Sequence, residues 1–114
     1  MAGGDGPLRR VCAVGDVEPG GVRRVDLPGC PALAVFNLDG DYYVTADRCT
    51  HAEASLAEGW VEDDVIECPF HGGSFHIPTG RALTRPVKTD LRTFPVTIDG
   101  DDVLVEVGPG EAGA

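Results

Sequence analysis

The sequence predicts an all-β fold of short antiparallel strands, and three observations carry that expectation. Gly and Pro number 16 and 9 among 114 residues, nearly twice the ordinary combined share of about 12%, which leaves little room for long helices. No segment sustains an apolar period of 3.6 residues, the mark of an amphipathic helix. Apolar, β-rich runs instead flank Asp-Gly and Pro-Gly pairs, the local chemistry of hairpins and turns.

The elements follow in order. The first ten residues read as a flexible lead-in, and Arg10 to Ala13 as a first short strand. Glu18-Pro19-Gly20-Gly21 makes a turn. Val22 to Leu27 alternates weakly and reads as a second strand, closed by Pro28-Gly29. Ala32 to Leu38 and Tyr42 to Ala46 flank Asp39-Gly40-Asp41, a strong hairpin signal. At most one short helical turn fits, around Ala54 to Ala57. Val61 and Val65-Ile66 around Asp63-Asp64 suggest a smaller hairpin, and Ser74 to Ile77 a strand ended by Pro78-Thr79-Gly80. Phe94, Val96 and Ile98 fall on one face, and Val103, Val105 and Val107 on one face again, joined by the turn at Asp99 to Asp102. Pro95 has no N–H to give a ladder, so it requires a sheet edge or a bulge. Gly108 to Ala114 reads as a tail. No repeat is visible, and the length suits one domain, 1–114.

Composition bounds the function. Nine Lys and Arg oppose 19 Asp and Glu, a formal net charge of −10. Nucleic acid and anionic membranes need a basic surface, so neither is expected as a partner. The hydrophobic share of 42% still permits a real core. The longest apolar run, Ala32 to Phe36, is five residues, where a membrane span needs about 20. Residues Met1 to Pro7 hold no apolar stretch, so no secretory leader is expected and the cytoplasm is the expected compartment. There the four cysteines would stay reduced, as metal ligands or buried thiols.

Two short patterns carry the chemistry. Cys49-Thr50-His51 is Cys-x-His, Cys68-Pro69-Phe70-His71 is Cys-x-x-His, and 16 residues separate them. Each alone is weak; together they are strong, because each half offers one thiol and one imidazole. A structural zinc finger groups its cysteines in one half and its histidines in the other, around one ion. The mixed pairing suits a two-metal cluster with unlike ends, one iron taking both thiolates and the other both imidazoles.

On these residues the sequence resembles the Rieske proteins. Cys49-Thr50-His51 and Cys68-Pro69-Phe70-His71-Gly72-Gly73 look like the two cluster-binding loops. Ser55-Leu56-Ala57-Glu58-Gly59 is similar to the stretch that follows the first loop in the ferredoxins of bacterial aromatic-ring dioxygenase systems. Gly72 to Gly80, Arg85-Pro86-Val87 and Thr93-Phe94-Pro95-Val96 extend the likeness, which covers about residues 8–107. The resemblance implies an all-β Rieske fold: a base of antiparallel strands from about 8–46 and 83–107, with an inserted cluster-binding part at about 47–82. It implies a Rieske-type 2Fe-2S cluster, with Cys49 and Cys68 on the inner iron and His51 and His71 on the outer iron. It implies a stand-alone one-electron carrier and not an enzyme. An FAD-containing NADH ferredoxin reductase would be the donor, and a terminal Rieske non-haem iron aromatic dioxygenase the acceptor. A monomer is expected. The alternative within the same resemblance is the small subunit of an NADH-dependent nitrite reductase.

Other residues take plainer readings. In respiratory-type Rieske proteins the second loop carries an extra cysteine and is followed by a Ser and a Tyr that donate hydroxyls. Here Phe70, Gly73 and Phe75 stand in those places, which implies a potential at the low end of the window of about −150 to +300 mV. Gly72 and Gly73 would let backbone approach the cluster sulfurs, and Pro86 would cover it. His76 is expected to have no special role, Trp60 to pack rather than relay electrons, and Cys12 and Cys30 to be small buried free thiols. Ser74 beside His71-Gly72-Gly73 invites a hydrolase reading, but no Gly-x-Ser-x-Gly is present. Nine of the 19 acids lie between Asp39 and Glu67, with Arg48 the only base there. That segment is expected to form an acidic face beside the cluster loops that steers basic partners.

Overall fold

The computed structural model describes residues 8–50, 54–69, 73–84 and 89–106. Eleven strands and one 3₁₀ turn build three antiparallel sheets among them. The first sheet sets β1 (Leu8–Ala13) beside β11 (Asp102–Glu106) and then β10 (Val96–Asp99). The second runs β2 (Gly21–Val25), β3 (Leu33–Leu38), β4 (Asp41–Ala46), β9 (Thr93–Phe94). The third runs β5 (Trp60–Glu62), β6 (Val65–Glu67), β7 (Ser74–His76), β8 (Ala82–Thr84). The 3₁₀ turn spans Leu56–Glu58.

The Asp39-Gly40 hairpin forms as the sequence predicts. Asp39 and Gly40 both have positive φ, 56° and 97°, as a two-residue turn matched to strand twist requires. Asn37 fixes its base: the side-chain oxygen accepts the Gly40 N–H at 2.7 Å, and Nδ2 donates to the Val17 carbonyl at 2.8 Å. The apolar run at the start of β3 is explained by burial on both faces. Leu33 and Val35 enter one core with Val11, Cys12, Val44, Phe94, Val103 and Val105, while Ala34 and Phe36 enter a second with Leu56, Ile66, Phe75 and Ile77. Strand alternation makes β3 the wall between the two cores.

Several expectations are corrected. Leu8 and Arg9 are not part of a lead-in but the start of β1, paired Leu8↔Glu106 and Arg9↔Val105. The helical turn, expected around Ala54 to Ala57, spans Leu56–Glu58. Phe94, Val96 and Ile98 do not share one buried face: Phe94 is buried and Ile98 is 47% exposed. The reason is Pro95, where the chain leaves the second sheet and enters the first. Its missing N–H falls at that break, and its carbonyl accepts the Glu106 N–H at 3.0 Å. Strand β8 has no strong sequence signal and pairs with β7 across an irregularity that leaves Leu83 unmatched and 46% exposed. Val107 and the tail at 108–114 lie outside the described residues.

Candidate metal centre

The two cysteine loops are built alike. In the first, Arg48 bridges Ser55, and inside that bridge the Cys49 N–H donates to the Ala54 carbonyl at 3.0 Å. In the second, Glu67 pairs with Ser74, and the Cys68 N–H donates to the Gly73 carbonyl at 2.7 Å. Alternation sends Arg48 and Glu67 outward and Cys49 and Cys68 inward. Both thiols are buried, at 2% and 1% exposure, in one apolar cluster with Phe36, Leu56, Ile66 and Phe75. Neither is in a disulfide.

The surrounding elements pin these loops. Asp47, buried at 2% exposure, precedes the first loop; its Oδ1 accepts the Ala57 N–H at 2.9 Å and its carbonyl accepts the Leu56 N–H at 2.8 Å. It therefore caps the 3₁₀ turn that Ser55 leaves uncapped. The sequence counts this carboxylate in an acidic surface, and the structure removes it from there. The other described acids of the segment, Asp39, Asp41, Glu58, Glu62, Asp63, Asp64 and Glu67, are exposed as expected. Gly59 lets the chain pass against β6: a Cβ there would lie 2.0 Å from the Glu67 carbonyl oxygen. Thr50 ties the first loop to a distant segment, its hydroxyl donating to the Thr89 carbonyl at 2.7 Å.

The donor chemistry fits the thiolate end of a 2Fe-2S cluster. Two thiols sit in one buried apolar group, where water is excluded and no competing disulfide forms. His51 and His71, the expected ligands of the other iron, lie outside the described residues, as do Phe70, Gly72 and Pro86. Among the described residues alone, no group of three or more His, Cys, Asp or Glu is placed to hold a metal ion.

The remaining singled-out residues divide. His76 acts as a structural tie. Its Nδ1 pairs with Thr79 Oγ1 at 2.8 Å and its Nε2 with Asp64 Oδ2 at 2.9 Å, joining the turn after β7 to the turn between β5 and β6. Cys12 is buried as expected; burial, and secondarily the nearby Asp16 carboxylate, push its thiol above the usual range. Cys30 is only partly buried, with the Arg9 guanidinium donating to its sulfur at 3.2 Å. Trp60 is not a core residue. It is 59% exposed on the edge strand β5. Its neighbour Val61 turns toward the core, and alternation sends the indole out.

Comparison with known proteins agrees with this architecture. The model of the Rieske [2Fe-2S] domain matches residues 8–95. Ferredoxin CarAc of Metapseudomonas resinovorans is 45% identical over 96 residues, 84% of this chain and 90% of that one. The ferredoxin component of biphenyl 2,3-dioxygenase from Rhodococcus jostii RHA1 is 42% identical over 103 residues, 90% of this chain and 95% of that one. Among solved structures, a chain in the complex of reduced oxygenase and oxidized ferredoxin of carbazole 1,9a-dioxygenase superposes with a TM-score of 0.83. It is 43% identical and covers 87% of this chain and 92% of its own. A putative nitrite reductase small subunit, at 23% identity and a TM-score of 0.74, covering 87% of this chain and 97% of its own, shares the fold alone. No helix among the described residues is long and apolar enough to cross a membrane.

Proposed function

The chain belongs to the Rieske [2Fe-2S] domain family, and from that premise we propose that it is the ferredoxin component of an aromatic-ring dioxygenase system. It carries a Rieske-type 2Fe-2S cluster and transfers electrons; ring oxidation is the work of its acceptor, a terminal oxygenase. When bound, the cluster supplies a reversible one-electron couple. The donor in this reading is an FAD-containing NADH reductase. One NADH yields two electrons and a proton on becoming NAD⁺, so each NADH serves two one-electron transfers. The carrier works as a monomer in the cytoplasm. The nitrite reductase reading rests on fold likeness, and the carrier is preferred.

The observation that supports this reading most is the pair of equivalent loops that bury two thiols, neither in a disulfide, in one apolar group. Cys49 and Cys68 would hold one iron on the core side, and His51 and His71 the other toward solvent. The part at 47–82 would carry the cluster, on a base formed by 8–46 and 83–107. Phe75 is fully buried and brings no hydroxyl to the site; fewer donors toward the sulfurs favour a potential at the low end of the window of about −150 to +300 mV. The test is the visible and EPR spectrum of the dithionite-reduced protein, with a redox titration. A 2Fe-2S signal that is lost in His51→Ala and His71→Ala is the expected result. A colourless, EPR-silent protein, or histidine variants that keep the full signal, would overturn the assignment, and a clearly positive potential would overturn the low-potential reading.

A further inference from the structure

The outward face of the third sheet is built as a receiving surface. Register places Trp60, Glu67 and Ser74 side by side in one row, and Glu62, Val65 and His76 in the next. The opposite face, with Val61, Ile66, Phe75 and Ala82, packs into the core. The outward row therefore lies immediately beside the second cysteine loop, since Cys68 follows Glu67 and Gly73 precedes Ser74. Within that row stands the chain's one tryptophan, 59% exposed, the most exposed large apolar side chain among the described residues. Among the described strands β5 pairs with β6 only, which puts Trp60 at the edge of this sheet.

Charge narrows what this face can take. No Lys or Arg occurs from Cys49 to Gly80, while Glu67 is exposed directly opposite Trp60 in the register and Glu58, Glu62 and Asp63 are exposed nearby in sequence. An indole face attracts a cation, and a carboxylate on the neighbouring strand supplies two acceptors for it. The planar guanidinium satisfies both demands, by stacking on the ring and forking to the carboxylate; an ammonium satisfies only the charge. We propose that the Trp60–Glu67 row is a docking site for an arginine on a basic surface of the terminal oxygenase, seated next to the Cys68 loop. The assignment rests on the carrier reading above, which supplies the partner.

The experiment uses the cluster-loaded full chain with 5-fluorotryptophan in place of Trp60, which gives a single ¹⁹F resonance, and the terminal oxygenase of carbazole 1,9a-dioxygenase as the probe. Titration should shift or broaden that resonance saturably, and the shift should weaken as salt rises. Trp60→Ala and Glu67→Gln should each weaken oxygenase binding about tenfold, with the visible spectrum of the cluster unchanged. Their effects should be less than additive, because both contact one arginine. Ile98→Ala, at an exposed apolar position on β10, should change nothing. An unmoved resonance overturns the proposal, as do variants that bind the oxygenase like wild type. Variants that instead slow only reduction by the NADH reductase also overturn it. The carrier reading fails separately, by a spectrum without a 2Fe-2S signal.

Discussion

The hydroxyl of Thr50 donates to the carbonyl of Thr89 at 2.7 Å, joining positions 39 residues apart. Thr50 lies between Cys49 and His51, so this bond holds the first cysteine loop against the segment that follows the third sheet. Thr50→Val keeps the shape and removes the donor. The expected result is a stability loss of about 1 kcal/mol and faster bleaching of the cluster in chelator. A bleaching rate equal to wild type would remove this bond from the account of the site.

Asp47 should be more sensitive than its surface neighbours. Its carboxylate is buried and accepts the Ala57 N–H. Asp47→Ala leaves that donor without its partner and should cost about 2 kcal/mol, while Asp47→Asn, which retains an acceptor oxygen, should cost less. Urea midpoints of the two variants decide it. Equal losses would mean that charge, not capping, is what Asp47 contributes.

Two glycines make a controlled pair. At Gly59 a Cβ meets the Glu67 carbonyl oxygen at 2.0 Å and Pro69 Cδ at 3.2 Å. Gly59→Ala should therefore lose about 3 kcal/mol and load cluster poorly, because β6 leads directly into Cys68. Gly100 has φ of +63° but nothing within 4 Å of an added Cβ. Gly100→Ala should lose only about 1 kcal/mol, the cost of the left-handed backbone. Thermal unfolding of both measures the contrast, and similar losses would show that close packing at Gly59 relaxes.

Cys12 makes stability depend on alkaline pH. Burial, with a smaller push from Asp16, raises its thiol above the unfolded value. The native chain then keeps a proton that the unfolded chain releases. The stabilisation is full below the unfolded thiol value and is lost as pH rises through the native one. Cys12→Ala should flatten the alkaline arm of the stability curve, and alkylation of native Cys12 should lag that of the unfolded chain. An unchanged alkaline arm would refute the linkage.

What is legible in the sequence is what short-range chemistry decides. Asp39-Gly40 reports its turn through two positive φ values, and the cysteine loops announce themselves by spacing. Pro95 is legible as a constraint, but that it marks a change of sheet depends on which strands lie on either side. β8 is not legible, because Ala82–Thr84 owes its form to Ser74 and Phe75 across the ladder. Asp47 reads as one more surface acid, because only its distant partner, Ala57, separates a buried cap from an exposed carboxylate. Trp60 reads as core on hydrophobicity alone; alternation against Val61 holds the correct signal. The candidate thiol ligands are readable, while the bond from Thr50 to Thr89 is not, since nothing in either residue names the other.

The order of the first sheet has a consequence for synthesis. Among the described strands β1 pairs with β11 alone, and β11 separates it from β10. While the ribosome is making the chain, the first strand thus has nowhere to pair until Asp102–Glu106 emerges. Leu33, Val35 and Val44 likewise wait for Val103 and Val105 to close their core. Closing that seam joins strands from opposite ends of the described chain, a non-local pairing of the kind that slows folding.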